Sequence, residues 1–169
     1  MCRNNKAILF FLTFLIPIIS WGQKFELTSE GLRSSVNLED NAIEYMTREM
    51  SLSDLYAHCK HKLVYEVDFF SYTTNTIPGT NNITVEGYIN GSSLLVFGKT
   101  EISFKILLEF KETGVLVTPE LTKTNGKPLN YGVLFNKKGK VRLAAPKNKI
   151  ETEINTLIYK ILGDIVEIH

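Results

Sequence analysis

Glu101-Ile102-Ser103-Phe104-Lys105-Ile106-Leu107-Leu108-Glu109-Phe110 is the stretch whose reading decides the fold. Ile102, Phe104, Ile106, Leu108 and Phe110 alternate with Glu101, Ser103, Lys105 and Glu109, and only Leu107 breaks the pattern. Successive side chains of a strand point to opposite faces, so this period of two sets an apolar face against a core and leaves the other face wet. Strands covered on both faces read as continuous apolar runs. Alternation is what an antiparallel sheet with one open face requires.

The neighbouring segments extend the sheet in both directions. Upstream, Ile83, Val85 and Ile89 alternate with Thr84, Glu86 and Tyr88, and Asn90-Gly91 is expected to close that strand as a tight turn. Residues 94–97 form a short apolar run, and the polar segment 71–82, with Pro78-Gly79, reads as turn chemistry. Downstream, Glu112-Thr113-Gly114 turns the chain, and Val115, Val117 and Leu121 return it. A looser stretch holds Asn125-Gly126 and Pro128; beyond it, residues 131–135 and 140–143 are expected to pair as a hairpin across 136–139.

Two helices belong to the same layer. Ser51 is an N-cap with Asp54 three residues on, and Leu52, Leu55, Cys59, Leu63 and Glu66 follow 3–4 spacing with Tyr56 beside them, which predicts a helix over 52–65. After Pro146, a stripe of Ile150, Ile154, Leu157, Ile158, Ile161, Leu162 and Ile165 predicts a second helix near 148–163, wide enough to cover a sheet face. Short strands at 24–28 and 42–47, separated by a polar stretch, precede the first helix. The fold class is α+β: a twisted antiparallel sheet with helices on one face, in the order strand, helix, strands, helix. With no internal repeat, low-complexity linker or composition break, residues 23–169 read as one domain.

The full chain of 169 residues carries a net charge of +1 and is 44% apolar, which argues against disorder and against a disulfide-dense mini-protein. Those totals mix two molecules. Arg3 and Lys6 precede an apolar run over residues 7–19, and Ser20 and Gly22 place small residues before a cleavage ahead of Gln23. Thirteen helical residues rise only about 20 Å, short of a hydrocarbon core of about 30 Å. Residues 1–22 are therefore expected to be a cleaved signal peptide, leaving no transmembrane anchor and directing the protein to the periplasm, cell surface or medium. Cleavage leaves 17 basic and 18 acidic residues, and Cys59 as the one cysteine of the mature chain. Without an intrachain partner, Cys59 is either buried or paired between chains, and its place on the apolar stripe favours burial.

Charge is unevenly placed. Lys123, Lys127, Lys137, Lys138, Lys140, Arg142, Lys147 and Lys149 lie between Leu121 and Ile150 with no acid among them, whereas residues 23–120 carry 8 basic and 14 acidic residues. These eight form a candidate patch for an anionic partner such as an acidic component of the cell envelope; the competing reading is a solvated hairpin. Nucleic acid is not expected, because the mature chain is slightly acidic and no stacked aromatics accompany the lysines. The remaining chemistry is sparse. His58, Cys59 and His61 share a helix, but the wheel turns Cys59 inward and His61 outward, so no metal site is expected. No histidine pairs with a Gly-x-Ser-x-Gly turn. Glu101 and Glu109 lie roughly 26 Å apart along an extended strand, beyond the reach of a glycosidase pair. Neither a phosphate-binding glycine loop nor any other cofactor motif is present.

The strand at 42–47, the helix start Ser51-Leu52-Ser53-Asp54-Leu55-Tyr56, the strand Ile83-Thr84-Val85-Glu86-Gly87, the strand 106–111 ending in Lys-Glu-Thr-Gly and the Ile-rich last helix come in a familiar order. In these the chain resembles an uncharacterised family of secreted bacterial domains with a TATA-binding-protein-like fold, over most of residues 40–165. The resemblance implies a curved sheet with helices on one face and brings no active site. The expectation is an exported, non-catalytic binding or interaction domain whose partner is a protein or an anionic envelope component. The alternative is a carrier of a small apolar ligand in a cavity lined by Phe104, Leu108, Ile154 and Ile158. An enzyme is the weakest class.

Overall fold

The computed structural model describes residues 23–47, 49–65, 72–76, 80–91, 100–142 and 144–166. Its elements run β1 (Phe25–Thr28), β2 (Gly31–Ser34), β3 (Ile43–Met46), α1 (Leu52–Tyr65), β4 (Tyr72–Thr76), β5 (Asn82–Gly91), β6 (Thr100–Phe110), β7 (Gly114–Thr124), β8 (Lys127–Pro128) and α2 (Ala144–Leu162), with a short 3-10 turn at Tyr131–Val133. Residues 1–22, expected to be a signal peptide, together with Glu66, Pro78-Gly79 and the apolar run 94–97, lie outside the described residues.

The alternating decamer forms β6, the centre of a sheet ordered β3-β7-β6-β5-β4, with β8 added to the end of β7. Every pairing is antiparallel. Ile102, Phe104, Ile106, Leu108 and Phe110 are all at 5% exposure or less, so the apolar set does face the core. Against it lie Ile150, Ile154, Leu157, Ile158, Ile161 and Leu162 of α2 and Leu55, Cys59 and Leu63 of α1, all buried. Burial of each such side chain contributes about 1.5–3 kcal/mol. Tyr56, beside the α1 stripe, meets Phe110 edge-on with ring centroids 5.3 Å apart.

The β1–β2 hairpin is a separate two-stranded sheet whose Phe25, Leu27 and Leu32 join the same core. Its free edge is satisfied by α2 rather than by another strand. Asn155 accepts from the Phe25 N–H and donates to the Phe25 carbonyl, both at 2.8 Å, while a Glu151 carboxylate oxygen accepts from the Leu27 N–H at 2.7 Å. Two helix side chains thus stand in for a missing ladder and block the edge.

Several expectations are corrected. The polar stretch after β1 is not all loop: Gly31, at φ 119°, turns the chain into β2, a conformation that a side chain would strain. The polar segment 71–82 holds β4, a threonine-rich edge strand paired with β5. Asn90-Gly91 does not close a turn, because the β5–β6 register continues through Asn90↔Glu101 and Gly91↔Thr100. Asn125-Gly126, at φ 50° and 76°, makes the tight turn instead and joins β7 to β8. Among the described residues of 131–142, the two arms pair through a single bridge between Phe135 and Val141, since the 3-10 turn occupies the first arm. Finally, α2 begins at Ala144, ahead of Pro146. Proline is tolerated in a first helical turn, where its missing N–H has no partner to lose.

Candidate functional site

With α1 and α2 on one face, the other face of the large sheet carries the side chains that alternate outward. Register sets them in rows. Thr73, Glu86, Lys105 and Glu120 stand opposite one another across β4, β5, β6 and β7, and Tyr88, Ser103 and Lys123 form the next row across β5, β6 and β7. Thr73, Glu86, Tyr88, Ser103, Lys105 and Lys123 line a shallow groove of about 610 Å³. Glu86, Lys123 and Thr73 are exposed, Ser103 and Lys105 half-buried, and Tyr88 is 36% exposed.

Lys123 reaches this groove through a break in the alternation. Val115, Val117, Pro119 and Leu121 face the core, so an unbroken β7 would send Lys123 inward as well. Burying an unpaired ammonium there would cost several kcal/mol. Instead the register slips: Phe104 pairs with Leu121 but Ser103 with Lys123, leaving Thr122 as an extra residue whose hydroxyl donates to the Ser103 carbonyl at 3.4 Å. This bulge returns Lys123 to the outer face and turns Thr124 inward. The lining that results is mixed. Lysine ammonium groups donate, the Glu86 carboxylate accepts, and the serine, threonine and tyrosine hydroxyls do both.

A second concavity, about 570 Å³, lies where β3 leads into α1, among Met46, Thr47, Glu49, Met50, Glu112 and Thr113. Phe104, Leu108, Ile154 and Ile158, the expected lining of a carrier cavity, are each at 2% exposure or less and pack as core.

The eight basic residues lie on β7, β8, the turn after Phe135 and α2. Lys123 belongs to the groove and Lys127 is exposed on β8. Lys137, Lys138 and Lys140 are exposed on the turn after Phe135, where the Asn136 side chain accepts from the Lys138 and Lys140 N–H groups at 2.8 and 3.0 Å. Arg142 is exposed just beyond, its backbone N–H donating to the Leu134 carbonyl. On α2, Lys147 pairs with Glu151, one turn along, and Lys149 donates to the Asn90 carbonyl at 2.6 Å. Lys149 thereby ties α2 to β5, while Lys147 is paired within its own helix.

The helix cluster lies as its spacing predicts. Cys59 is fully buried, and burial pushes its thiol up to about 12. His58 is half-buried and His61 exposed, its ring 4.8 Å from that of Tyr65. Among the described residues, no three His, Cys, Asp or Glu side chains are gathered to hold a metal ion. Tyr131, packed against the core, has its hydroxyl pKa raised, first by burial and then by the charge of Glu120, with Arg33 opposing.

The sequence offers Glu86, Tyr88, Ser103, Lys105 and Lys123 without grouping them, and it hides Thr73 in a segment that reads as turn. Tyr88, Ser103 and Lys123 come together only through the pairing register and the bulge. A signal was present in part, since Thr84, Glu86 and Tyr88 form the polar side of an alternating strand.

A twisted antiparallel sheet with two helices packed on one face is a TATA-binding-protein-like α+β fold, and this chain adopts it. A TBP-like protein from Parabacteroides distasonis is similar in structure, with a TM-score of 0.52 and 15% sequence identity over 72% of this chain and 88% of that one. A DUF4468 family protein from Bacteroides ovatus gives a TM-score of 0.47 and 16% identity, covering 72% of this chain and 82% of its own. At such identities the likeness is one of fold, and the resemblance read from the sequence holds at that level. No protein-family model matches the chain, and no curated protein does.

Proposed function

We propose that the mature chain is an exported, non-catalytic binding domain that meets its partner on the open face of the sheet. The observation that carries this reading is the asymmetry of that sheet: one face is filled by two helices, while the other presents a groove of about 610 Å³ lined by side chains from four strands. That volume falls within the usual range for ligand sites. Export rests on the basic n-region, the apolar run and the small residues before Gln23. Among the described residues, no helix is long and apolar enough to cross a membrane. The fold's name brings no nucleic acid with it, because function belongs to sites and not to folds. The carrier reading has less support, since its four lining residues are packed core.

The test is amide and methyl NMR of the mature chain titrated with envelope extract from the producing cells. Shifts clustered on the outward residues of β5, β6 and β7 are expected. Shifts of the Leu108, Ile154 and Ile158 methyls would establish the carrier instead, and silence on the sheet face would overturn the proposal. N-terminal sequencing of exported material should begin at Gln23; a chain still starting at Met1 would refute cleavage.

A further inference from the structure

We propose that the groove on the open sheet face binds a neutral oligosaccharide, an assignment that rests on that face being the binding surface. Three observations select this ligand class. First, the charges alternate within a row: Lys105 stands directly opposite Glu86 on one side and Glu120 on the other, and Lys123 lies one row away. Glu86 lines the groove beside Lys105 and Lys123, and Glu120 stands next to Lys105 on β7 at its margin, so the two signs are interleaved and neither forms a continuous field. A polyanion would meet Glu86 and Glu120 as readily as the lysines, so neither nucleic acid nor an acidic polymer is complemented here.

Second, the lining offers donors and acceptors at short intervals. Ser103, Thr73 and the Tyr88 hydroxyl each do both, Lys105 and Lys123 donate, and Glu86 accepts. A sugar ring presents hydroxyls that likewise donate and accept, which a surface of one type cannot satisfy. Third, Tyr88 is an aromatic side chain partly exposed within this mixed lining. The negative face of its ring suits the weakly positive C–H groups along one side of a pyranose. A protein partner fits less well, because the centre of a protein interface is depleted in charged residues and this groove has them at its centre.

The experiment titrates the 15N-labelled mature chain with maltohexaose, cellohexaose and chitohexaose, and with a heparin hexasaccharide as the acidic comparison. At least one neutral hexasaccharide is expected to give saturable shifts confined to the groove rows. Tyr88→Ala should weaken that binding at least tenfold with an unchanged melting curve, Tyr88→Phe no more than threefold, and Lys137→Glu not at all. Lack of binding by all three neutral sugars at 10 mM overturns the assignment; so does groove binding by heparin alone, or an unchanged affinity in Tyr88→Ala. If envelope extract still shifts the sheet face while the sugars do not, only the saccharide assignment fails. If neither does, the binding-face reading fails with it.

Discussion

The two faces of β6 come from one decapeptide and live in different solvents. Even-numbered residues from Ile102 to Phe110 are at 5% exposure or less against α1 and α2, whereas the odd-numbered Ser103, Lys105, Leu107 and Glu109 are only half-buried. Stability and recognition are thereby assigned to opposite sides of the same strand. Side chains on the covered face can change only by leaving cavities, while those on the open face can vary with little effect on folding. A binding surface built on a sheet also inherits the rigidity of its ladder, which holds the rows of the groove in register.

Leu107 and Leu108 test this contrast with one substitution each. Leu108→Ala should lose about 2–5 kcal/mol in urea unfolding, the range for a large-to-small change in a packed core. Leu107→Ala should lose less than about 1 kcal/mol, as expected away from the core. Equal losses would show that the outer face is packed against something in solution. Cys59 sharpens the same point without mutation of the core. With its thiol pushed up to about 12 by burial, the thiolate fraction at pH 8 lies roughly a thousandfold below that of a free cysteine. Its reaction with a disulfide reagent should therefore proceed only through unfolding, and rapid labelling of the native chain would place α1 away from the core.

How much of this was legible follows from where the physics is local. The β6 alternation and the α1 stripe are local, because the period of burial is written along a single element, and both appear where the sequence predicts them. β4 was missed because an edge strand of threonines packs little against the core and leaves no alternation to read. The start of α2 was placed late because Pro146 reads as a boundary, although a first turn accepts it. The groove was not legible at all as a unit. Its second row joins residues 88, 103 and 123, and the last reaches the row only through an extra residue in β7 that no composition signal marks. The basic run shows the converse: eight residues near in sequence are distributed among β7, β8, the turn after Phe135 and α2.

The covered face depends on how its cover is attached, and Asn155 measures that. Its side chain closes two hydrogen bonds with the Phe25 backbone and a third with the Glu151 carbonyl, all in partly buried surroundings. Asn155→Ala leaves the Phe25 N–H without its acceptor, and the cost should be about 1–3 kcal/mol. The loss should appear first as faster amide exchange in β1 and β2, with β6 still protected. Uniform loss of protection would mean that the hairpin and the main sheet unfold as one unit.

The smallest effect is expected from the charges on the outer rim of the cover. Lys62 of α1 pairs with Asp164 just beyond α2; the lysine side chain is 13% exposed and the aspartate 66%. The Lys62 hydrogen bond, then its charge, hold the Asp164 carboxyl below its ordinary range; slight burial opposes this, and nearby His58 adds a little to the lowering. A carboxyl depressed in the folded state contributes stability above its unfolded pKa of about 3.9 and loses that contribution as pH falls through the folded value. Because Asp164 is so exposed, the pair should contribute less than about 1 kcal/mol and fade in salt. Asp164→Asn should therefore shift the urea midpoint slightly at pH 7, and by nothing measurable near pH 2 or in 1 M NaCl. If it instead removed 2 kcal/mol or more at neutral pH, the two helices would be clamped by charge as well as by packing. The covered face would then share with the open one a dependence on pH and salt that its apolar core does not predict.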